Sequence, residues 1–441
     1  MGKMIKKVIL LGGDIFFLHL ALLFTILFRY PESEFFSVFV EHWPYFVFVF
    51  FIWILVFYVL SLYNLNIKTS DMRFVRLGFN ALLVSSVLSV IYFYLIVQPE
   101  IAPKTNLAIF IACFTILFVV WRLFFMTIMV KVIPQVNLAI IGSNHYTDNL
   151  LTELEKNPGS IYTPTLVFKD PNKLINLIGS ISENKIKAIV VCDNFGENEL
   201  MEQALFSCLP YKVDFFTYPD FYEQVTGKIP IEAIGQSWFL ENLKEGQKIN
   251  YQRVKRLMDL LLSYIIIIFT GPFCLLIGLT IKLTSKGPVF FRQIRMGQNE
   301  KEYVMIKFRT MRILNNDGAP TEKNDHRITK FGLFLRKTRL DEIPQVLNIL
   351  KGEMSFIGPR PERPEIIVGL ERNIPFYKTR LLIKPGLTGW DQISGSYHSP
   401  SIADTMEKLQ HDLYYLKHRS VALDLSIALK TIATMLFHEG R

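Results

Sequence analysis

Four long apolar runs in the first 131 residues constrain the fold of this chain more than any other feature. They cover residues 8–28, 45–63, 77–97 and 107–130. Each is close to the roughly 20 residues that a helix needs to cross the hydrocarbon core of a bilayer. The sequence therefore predicts a bundle of four transmembrane helices over residues 1–131. The composition agrees, since 51% of all residues are hydrophobic and only 20% are charged.

The charges between these runs predict their orientation. Basic residues precede the first run, separate the second from the third and follow the fourth: Lys3, Lys6, Lys7, Lys68, Arg73, Arg76 and Lys131. Of the alternate loops, residues 31–44 carry three glutamates, and residues 98–106 contain Lys104 as their only basic residue. Because basic loops remain on the cytoplasmic side, both ends of the bundle are predicted to be cytoplasmic. Asp14 and His19 fall inside the first run, where we expect burial between helices or an interfacial position, although such residues are also functional candidates.

From Val136 onward the hydropathy becomes that of a water-soluble domain. Strand patterns at residues 137–142, 163–168, 187–193 and 212–218 alternate with helical patterns such as 145–156 and 197–208. This alternation predicts a Rossmann-like α/β domain with a parallel sheet over residues 132–250. The segment GSNHYT has one glycine where a dinucleotide fingerprint has three. Both a dinucleotide site and a structural or regulatory role are therefore open.

A fifth apolar stretch, residues 257–281, is long enough to span a membrane but has basic residues on both sides. Arg253, Lys255 and Arg256 precede it, and Lys282, Lys286, Arg292 and Arg295 follow it. A crossing helix would place one basic cluster on the outer side. Pro272 lies near its middle and removes a backbone donor. We therefore predict a re-entrant helix that breaks at Pro272 and returns to the cytoplasmic side. The alternative is an ordinary fifth span, for which a reporter fused to the C-terminus would lie outside the cell.

Residues 251–441 are predicted to form an α+β domain rich in residue types that bind phosphate. Residues 287–311 have the pattern of a two-stranded hairpin that turns at residues 297–300. Strand side chains alternate with period two, so Lys307 and Arg309 are expected on one face of the second strand.

An adjacent pair of carboxylates, Asp341 and Glu342, follows a helical pattern at residues 329–338 that carries Arg336. Pro344 is acceptable three residues later if the pair lies near a helix N-terminus. Neighbouring side chains on a helix point about 100° apart, so one carboxylate can face a reacting phosphorus while the other faces a metal. Carboxylates suit both tasks, because they bind Mg²⁺ and can attack phosphorus.

Arginines and lysines elsewhere in this domain give the acidic pair its significance. Arg360 lies between Pro359 and Pro361, which restrict the backbone that presents it. Arg380 and Lys384 follow, and the glycines of residues 384–390 could bring backbone amides to phosphate oxygens. Taken singly, each basic residue is better explained as a solvated or lipid-headgroup contact, but a set of them around one acidic pair is less easily explained in this way. The candidate phosphate-binding set consists of Lys307, Arg309, Arg336, Arg360 and Arg380.

Six segments, in order, resemble the bacterial sugar transferases, the monotopic phosphoglycosyl transferases. The resemblance runs from Arg253 to the C-terminus, and the four spans with a Rossmann-like domain are similar to the long members that act as undecaprenyl-phosphate glucose or galactose phosphotransferases. The segments are KRLMD (255–259), GPVFFRQIRMG (287–297), KFRTM (307–311), LRKTRLDEIPQVLNILKGEMSFIGPRPE (335–362), KPGLTGWDQISG (384–395) and HDLYYLKHRSVALDLSIALKT (411–431).

The resemblance implies a two-step transfer of a hexose 1-phosphate from a UDP-sugar to undecaprenyl phosphate. Asp341 would attack the β-phosphate, release UMP and carry the phosphosugar until the lipid phosphate takes it. Glu342 would bind Mg²⁺, and Lys307, Arg336 and Arg360 would surround the phosphates. The reaction would initiate synthesis of a capsular or extracellular polysaccharide or an O-antigen. UDP-glucose and UDP-galactose are the favoured donors.

The sequence departs from the family pattern at two positions, Arg339, which is often serine, and Asp391, where alanine is common. Asp391 could therefore alter sugar preference. Arg339, Lys384 and Asp412 are additional candidate site residues, although Asp412 and Asp424 could instead cap helices or form surface ion pairs. Apolar residues 421–437 could lie in the membrane interface or pack against the re-entrant helix.

The expected location is the bacterial inner membrane, with a multi-pass chain and with the middle and catalytic domains on the cytoplasmic side. Expected partners are the UDP-sugar, undecaprenyl phosphate, membrane lipids and a second copy of the chain in a homodimer. Nucleic acid is not expected, since the interleaved aromatic and basic platform for it is missing. A non-catalytic scaffold is disfavoured by the intact motifs. The four dispersed cysteines predict neither a disulfide framework nor a zinc site.

Overall fold

The protein folds into two compact units, Met1–Phe221 and Tyr222–Arg441. Their structure is taken from a computed structural model. It describes residues 2–63, 72–95, 104–125, 127, 135–157, 160–170, 176–193, 199–312, 325–394 and 401–437.

Four apolar helices form the first part of the first unit, at the positions of the four predicted spans. They are α1 (Gly2–Arg29), α2 (Phe35–Val59), α3 (Met72–Leu95) and α4 (Lys104–Phe124), with a 3₁₀ turn at Glu32–Glu34. All four are long and apolar enough to cross a membrane. Aromatic side chains such as Phe46, Trp53 and Phe114 fill the space between them, whereas Phe28, Phe36 and Phe79 project outward. Such an apolar exterior is stable in lipid and unfavourable in water.

Asp14 is buried between these helices, as predicted, and forms an ion pair with Arg122. Arg122 Nη2 lies 2.7 Å from Asp14 Oδ2, and Nη1 donates to the Leu62 carbonyl at 3.3 Å. One guanidinium therefore connects α1, α4 and the end of α2. A buried charge without a partner would be costly in this environment. The ion pair therefore explains how Asp14 and Arg122 can both be buried between apolar helices.

A parallel four-stranded sheet forms the second part of the first unit, as predicted. Its strands are β1 (Val136–Ile141), β2 (Tyr162–Phe168), β3 (Ile186–Val191) and β4 (Asp214–Thr217), in the order β2-β1-β3-β4. The intervening helices are α5 (His145–Glu155), α6 (Leu177–Glu183) and α7 (Glu199–Phe206), followed by a 3₁₀ turn at Leu209–Tyr211.

The strand order reverses between β1 and β3, which is where ligands bind in open parallel sheets. The side chain of Asn144 occupies this position. Its Oδ1 accepts from the amides of Tyr146 and Thr147, and its Nδ2 donates to Asp193 Oδ1 at 2.9 Å. A dinucleotide would need this helix N-terminus for its pyrophosphate. The arrangement therefore favours the structural or regulatory alternative for this domain.

The second unit contains the remaining helices and two small sheets. The hairpin β5 (Phe290–Met296) and β6 (Glu302–Phe308) is antiparallel, with its turn at Gln298–Glu300 as predicted. Strands β7 (Ser355–Ile357) and β8 (Gly386–Thr388) pair in parallel. The helices are α8 (Tyr218–Thr226, which begins in the first unit), α9 (Gln236–Asn242), α10 (Ile249–Thr284), α11 (Lys330–Thr338), α12 (Val346–Lys351), α13 (Pro364–Glu371), α14 (Trp390–Ile393), α15 (Ile402–His418) and α16 (Val421–Phe437). Short 3₁₀ helices lie at Ile231–Ala233, Glu245–Lys248, Leu340–Gln345 and Tyr377–Leu382.

The second unit begins earlier than the domain boundary predicted at residue 250. Ile229 and Ile231 are buried in one apolar core with Leu413 of α15. Lys248 Nζ donates to two carbonyls at the end of α15, at 2.7 and 2.9 Å. The segment between residues 222 and 250, which we assigned to the Rossmann-like domain, therefore packs with the catalytic domain.

Helix α10 contains the fifth apolar stretch and is continuous over 36 residues. The structure therefore shows no interruption of the helix at Pro272, which lies inside it, and the re-entrant path stays a prediction. A proline removes only one intrahelical donor, and membrane helices tolerate this loss.

Both ends of α10 are attached to the second unit. Near its start, Arg256 donates to the carbonyls of Ile349 and Leu350, each at 2.6 Å. At its end, the Arg309 guanidinium donates to the Ser285 and Lys286 carbonyls at 2.8 and 2.9 Å. Between these attachments most of the apolar side chains are exposed.

Helix α16 combines the two alternatives stated for residues 421–437. Asp424 and Ile427 are buried against the unit, and Lys255 of α10 pairs with Asp424 at 2.8 Å. Leu425 and Ile432 on the opposite side are exposed apolar residues. One face of α16 therefore packs against α10, and the other presents apolar surface.

Glycine is required at position 332, where α11 crosses the end of β6. A Cβ at Gly332 would lie 2.0 Å from the Thr310 carbonyl oxygen, whereas one at Gly369 in α13 would meet nothing within 4 Å. We predict that Gly332→Ala lowers the Tm in detergent by an amount equivalent to ~1–3 kcal/mol, since backbone atoms must shift. Gly369→Ala should leave the Tm unchanged or raise it slightly. Equal effects of the two substitutions would contradict this packing.

Candidate active site

A cavity of about 990 Å³ opens beside the β5–β6 hairpin in the second unit. Its charged lining is strongly unbalanced, with ten basic and three acidic residues. Such a concentration of positive charge favours an anionic ligand. The charged lining residues are Arg292, Arg295, Lys307, Arg309, Arg312, Arg327, Arg336, Arg339, Asp341, Glu342, Arg360, Glu362 and Arg363.

The acidic pair lies on a 3₁₀ helix, Leu340–Gln345, which precedes α12. Arg339 ends α11 in the left-handed region, with φ of 59°, and so turns the chain into this helix. A 3₁₀ helix has three residues per turn, so adjacent side chains diverge by ~120°. Asp341 and Glu342 therefore point in different directions, as the sequence suggested, although the element is tighter than the predicted α-helix.

Glu342 is held by basic residues from three elements. Lys307 Nζ of β6 donates to its Oε1 at 2.7 Å, and Arg339 and Arg360 lie at 3.8 and 3.7 Å. Burial would raise the pKa of Glu342, but Lys307 and Arg360 together hold it below the usual value. Glu342 is therefore ionised at neutral pH, and the neighbouring basic side chains offset its charge and hold it in place.

Asp341 differs from its neighbour, because no other described residue forms a hydrogen bond or ion pair with its carboxylate. Burial, together with the charge of Glu342, raises the pKa of Asp341. The nearby charges of Lys307 and Arg336 counteract this rise. The two adjacent carboxylates thus have pKa values shifted in opposite directions, which is typical of a pair with separate chemical tasks.

Arg336 and Arg309 both line the cavity, but their guanidinium groups have different partners. Arg336 Nε donates to Thr310 Oγ1 at 2.9 Å, which fixes the side chain beside the acidic pair. Arg309 follows the end of β6 and donates to Ser285 Oγ as well as to the carbonyls at the end of α10. The prediction that Arg309 binds phosphate is therefore revised, because its guanidinium donates its hydrogen bonds to the end of α10.

Three other predicted site residues lie outside the cavity lining. Arg380 is buried and pairs with Asp412 at 2.7 Å, and Lys384 lies near Gly352. The amide of Gly386, in the loop predicted to bind phosphate, donates to the Pro359 carbonyl at 2.9 Å. These placements correct the prediction that Arg380, Lys384 and this loop contact phosphate directly. Their tertiary partners could not be read from the sequence.

Asp391 also lies outside the lining, with its Oδ1 3.8 Å from Nδ1 of His411. The suggestion that it alters sugar preference therefore has no direct support from its position.

Several lining residues were missed by the sequence reasoning, including Arg292, Arg295, Arg312, Arg327 and Arg363. A signal was available for Arg295. Phe291 pairs with Lys307 across the hairpin, and Arg295 follows it by four residues on the same face of the strand. The predicted turn and alternation were therefore sufficient to place Arg295 on the same face of the hairpin as Lys307. No comparable local signal exists for Arg327 and Arg363, which reach the cavity through tertiary packing.

A second cavity of about 400 Å³ lies on the other side of the turn that carries the acidic pair. Leu340 and Ile343, which flank Asp341 and Glu342 in sequence, contribute to it. Its lining is otherwise drawn from α10 and α11 and is almost wholly apolar: Thr270, Phe273, Leu276, Ile277, Thr280, Phe331 and Phe334. The same turn therefore borders a basic cavity and an apolar one.

The described part of the chain has no group of three or more His, Cys, Asp or Glu residues that could hold a metal ion. The basic cavity offers the carboxylates of Asp341 and Glu342 as adjacent oxygen donors. Mg²⁺ commonly uses one or two protein carboxylates and takes its other ligands from phosphate oxygens and water. The donor set therefore fits Mg²⁺ bound together with a phosphorylated ligand.

The second unit thus combines a basic cavity, in which the Asp341 carboxylate pairs with no other described residue, with an apolar helix long enough to cross a membrane. This combination is typical of a membrane-associated protein and suits an anionic ligand. Residues 250–438 match the profile of the family described as bacterial sugar transferase. A protein of Rhizobium leguminosarum named exopolysaccharide production protein PSS is 39% identical over 191 residues, 42% of this chain and 95% of the relative. The chain therefore belongs to the bacterial sugar transferase family.

Longer relatives carry names that state a reaction. A UDP-glucose:undecaprenyl-phosphate glucose-1-phosphate transferase of Xanthomonas campestris is 35% identical over 60% of this chain and 56% of the relative. A UDP-N-acetylgalactosamine-undecaprenyl-phosphate N-acetylgalactosaminephosphotransferase of Aeromonas hydrophila is 37% identical over 53% of this chain and 55% of the relative. The chain thus aligns with about half the length of these two relatives.

Proposed function

We propose that this protein transfers a hexose 1-phosphate from a UDP-sugar to undecaprenyl phosphate and releases UMP. The observation that carries this proposal is the contrast between Asp341 and Glu342 within the basic cavity. No other described residue bonds to the Asp341 carboxylate, which is available to react, whereas Glu342 is held by Lys307. The names of the relatives supply the substrates.

In the first step, a carboxylate oxygen of Asp341 attacks the β-phosphorus of the UDP-sugar. The bond between this phosphorus and the oxygen that bridges the two phosphates breaks, and UMP leaves with the electron pair. The product is an aspartyl phosphosugar. Lys307, Arg336 and Arg360 are positioned to stabilise the charge on the phosphoryl oxygens.

In the second step, a phosphate oxygen of undecaprenyl phosphate attacks the same phosphorus. The bond to Asp341 breaks, the carboxylate is regenerated, and the product is undecaprenyl-diphosphate-sugar. This step would begin a capsular or extracellular polysaccharide or an O-antigen. The relatives' names include glucose and N-acetylgalactosamine, and we retain UDP-glucose or UDP-galactose as the favoured donor.

The apolar cavity suits the first isoprene units of the acceptor. These units are covalently attached to the phosphate, so they must lie within a few bond lengths of Asp341 when the phosphate reacts. The apolar cavity begins at Leu340 and Ile343, on either side of the acidic pair. Its volume is within the range of ligand cavities, roughly 300–1,000 Å³.

The attachments of α10 support the proposal that this helix is re-entrant. Arg256 before the apolar stretch and Ser285 after it both bind the same folded unit. A helix that crossed the ~30 Å hydrocarbon core would place these residues on opposite faces of the membrane. We propose that both ends of α10 lie on one side of the membrane, and that this side, with the middle and catalytic domains, is the cytoplasmic side of the inner membrane.

Mg²⁺ is the proposed cofactor, with Glu342 as its protein ligand and Asp341 beside it. When bound, it would neutralise negative charge on the diphosphate. Glu342 would then exchange part of its contact with Lys307 for the ion.

A labelled-UMP exchange assay tests the first step without the lipid acceptor. With Mg²⁺, we predict that the wild-type protein incorporates labelled UMP into the UDP-sugar, because formation of the aspartyl phosphosugar is reversible. Asp341→Asn should reduce this exchange by at least ~10³-fold, since the amide is a poor nucleophile. Chelation of Mg²⁺ should stop the exchange, and added Mg²⁺ should restore it.

Asp391→Asn is the matched control for this assay, because Asp391 is a carboxylate of the same domain outside the cavity. It should retain exchange within a few-fold of wild type. Absence of exchange in the wild-type protein, with transfer to lipid intact, would indicate direct displacement in place of the covalent step. Absence of both activities with UDP-glucose, UDP-galactose and UDP-N-acetylhexosamines would contradict the proposed function.

Two neighbouring leucines of α10 test the apolar cavity. Leu276 lines it and Leu275 does not, and they are 62% and 77% exposed. We predict that Leu276→Trp fills the cavity and raises the KM for undecaprenyl phosphate roughly tenfold, the effect of losing about 1.4 kcal/mol of binding. Leu275→Trp should leave this KM unchanged. UMP exchange should be unaffected by either substitution, and an equal rise of KM in both variants would exclude this cavity as the isoprenoid site.

A further inference from the structure

The segment that carries Arg360 is held in an unusual way. Pro359 and Pro361 lack a backbone N–H, so this segment cannot supply the regular donors of a strand. Instead, four successive carbonyl oxygens accept hydrogen bonds from elsewhere in the unit. Pro359 accepts from the Gly386 amide at 2.9 Å, Arg360 from Arg380 Nη2 at 3.0 Å, Pro361 from Arg295 Nη1 at 3.0 Å, and Glu362 from the Met296 amide at 3.0 Å.

Arg380 is the buried one of the two side-chain donors to this segment. Asp412 Oδ2 of α15 accepts from its Nε at 2.9 Å and lies 2.7 Å from its Nη2, and the Tyr377 hydroxyl accepts from its Nη1 at 2.7 Å. The guanidinium is thus held by one carboxylate oxygen and one hydroxyl. The remaining donor capacity of Nη2 goes to the Arg360 carbonyl.

The side chain of Arg360 extends from this fixed backbone into the basic cavity. It is 47% exposed, and its Nη2 lies 3.7 Å from Glu342 Oε1. By contrast, Arg380 and Asp412 do not line the cavity. Any influence of these two residues on the reaction is therefore indirect, and the hydrogen bond from Arg380 to the Arg360 carbonyl connects them to a residue of the cavity.

We propose that Arg380 and Asp412 are positioning residues that hold Arg360 at the reacting phosphates. Arginine at position 380 donates to the carboxylate, the hydroxyl and the carbonyl at once, which a lysine cannot do with the same geometry. This inference rests on the proposed function, since it concerns the transfer that Arg360 would assist. Displacement of a catalytic group by ~1 Å can reduce a rate by about 10²-fold.

Asp412→Asn tests this proposal against Asp424→Asn. Both carboxylates are buried in the same unit, 3% and 6% exposed, and both accept from a cation. Asp412 accepts from Arg380, whereas Asp424 accepts from Lys255, Tyr251 and Tyr415 at 2.7–2.8 Å. We expect Asp412→Asn to lower kcat for UMP exchange roughly 10- to 100-fold. Asp424→Asn should lower the Tm without changing kcat by more than about twofold. A similar loss of kcat in both variants would overturn the proposal, because it would then reflect general destabilisation.

Combining Asp412→Asn with Arg360→Lys in a double variant distinguishes an effect of Asp412 that acts through Arg360 from one that is independent of Arg360. If Asp412 acts through Arg360, adding Asp412→Asn to Arg360→Lys should lower kcat by less than about twofold more. Multiplication of the two single losses would overturn the proposal.

Tyr377→Phe provides a milder variant in case Asp412→Asn does not fold. It removes one acceptor from Arg380 and should lower kcat several-fold, again without a further effect in the Arg360→Lys background. The proposal that Arg380 and Asp412 position Arg360 would also be contradicted if kcat were unchanged in Tyr377→Phe and normal in any folded Asp412 variant. Wild-type exchange is the reference for all variants: its absence would count against the proposed function, whereas its presence with these negative results would count against the positioning role alone.

Discussion

The ion pair between Lys307 and Glu342 is the interaction on which the arrangement of the site depends. It joins the β5–β6 hairpin to the turn that carries both carboxylates, with 2.7 Å between the charged atoms. Because Lys307 offsets the charge of Glu342 in this way, Asp341 can lie beside it in the same cavity without a bonded partner in the part of the chain that the structure describes. The contrast follows from geometry, since adjacent side chains of a 3₁₀ helix diverge and meet different surroundings. One carboxylate is thereby an anchor, and its neighbour is available for reaction.

The same turn solves a second physical problem, which is that the proposed substrates differ greatly in polarity. A sugar nucleotide is charged and water-soluble, whereas undecaprenyl phosphate has a long apolar chain. The turn borders the basic cavity through Asp341 and Glu342 and the apolar cavity through Leu340 and Ile343. Helix α10 forms one wall of the apolar cavity and is fastened at both ends to the catalytic unit. A charged reaction can therefore take place at the edge of a membrane without burying unpaired charge in lipid.

Much of this organisation was predictable because its signals are local. Apolar runs predicted the four spans, β-α alternation predicted the parallel sheet, and strand alternation placed Lys307 and Arg309 on one face of a strand. Partner choice was not predictable: the sequence presents Arg309, Arg360 and Arg380 as similar phosphate-binding candidates. Folding commits Arg309 to the end of α10 and Arg380 to Asp412, and it leaves Arg360 in the cavity. The continuity of α10 through Pro272 was also missed, since the long hydrogen-bonded flanks outweigh the loss of one backbone donor.

The central claim is that Asp341 carries the sugar phosphate between the two half-reactions. Mass spectrometry of the intact protein, mixed with UDP-sugar and Mg²⁺ in the absence of lipid acceptor and quenched rapidly in acid, tests it directly. We expect an added mass of one hexose phosphate, and proteolysis should map it to the peptide that contains Asp341. The added mass should be lost when undecaprenyl phosphate is added before the quench. Attachment at another residue, or continued transfer to lipid with no covalent adduct at any time point, would contradict this role of Asp341.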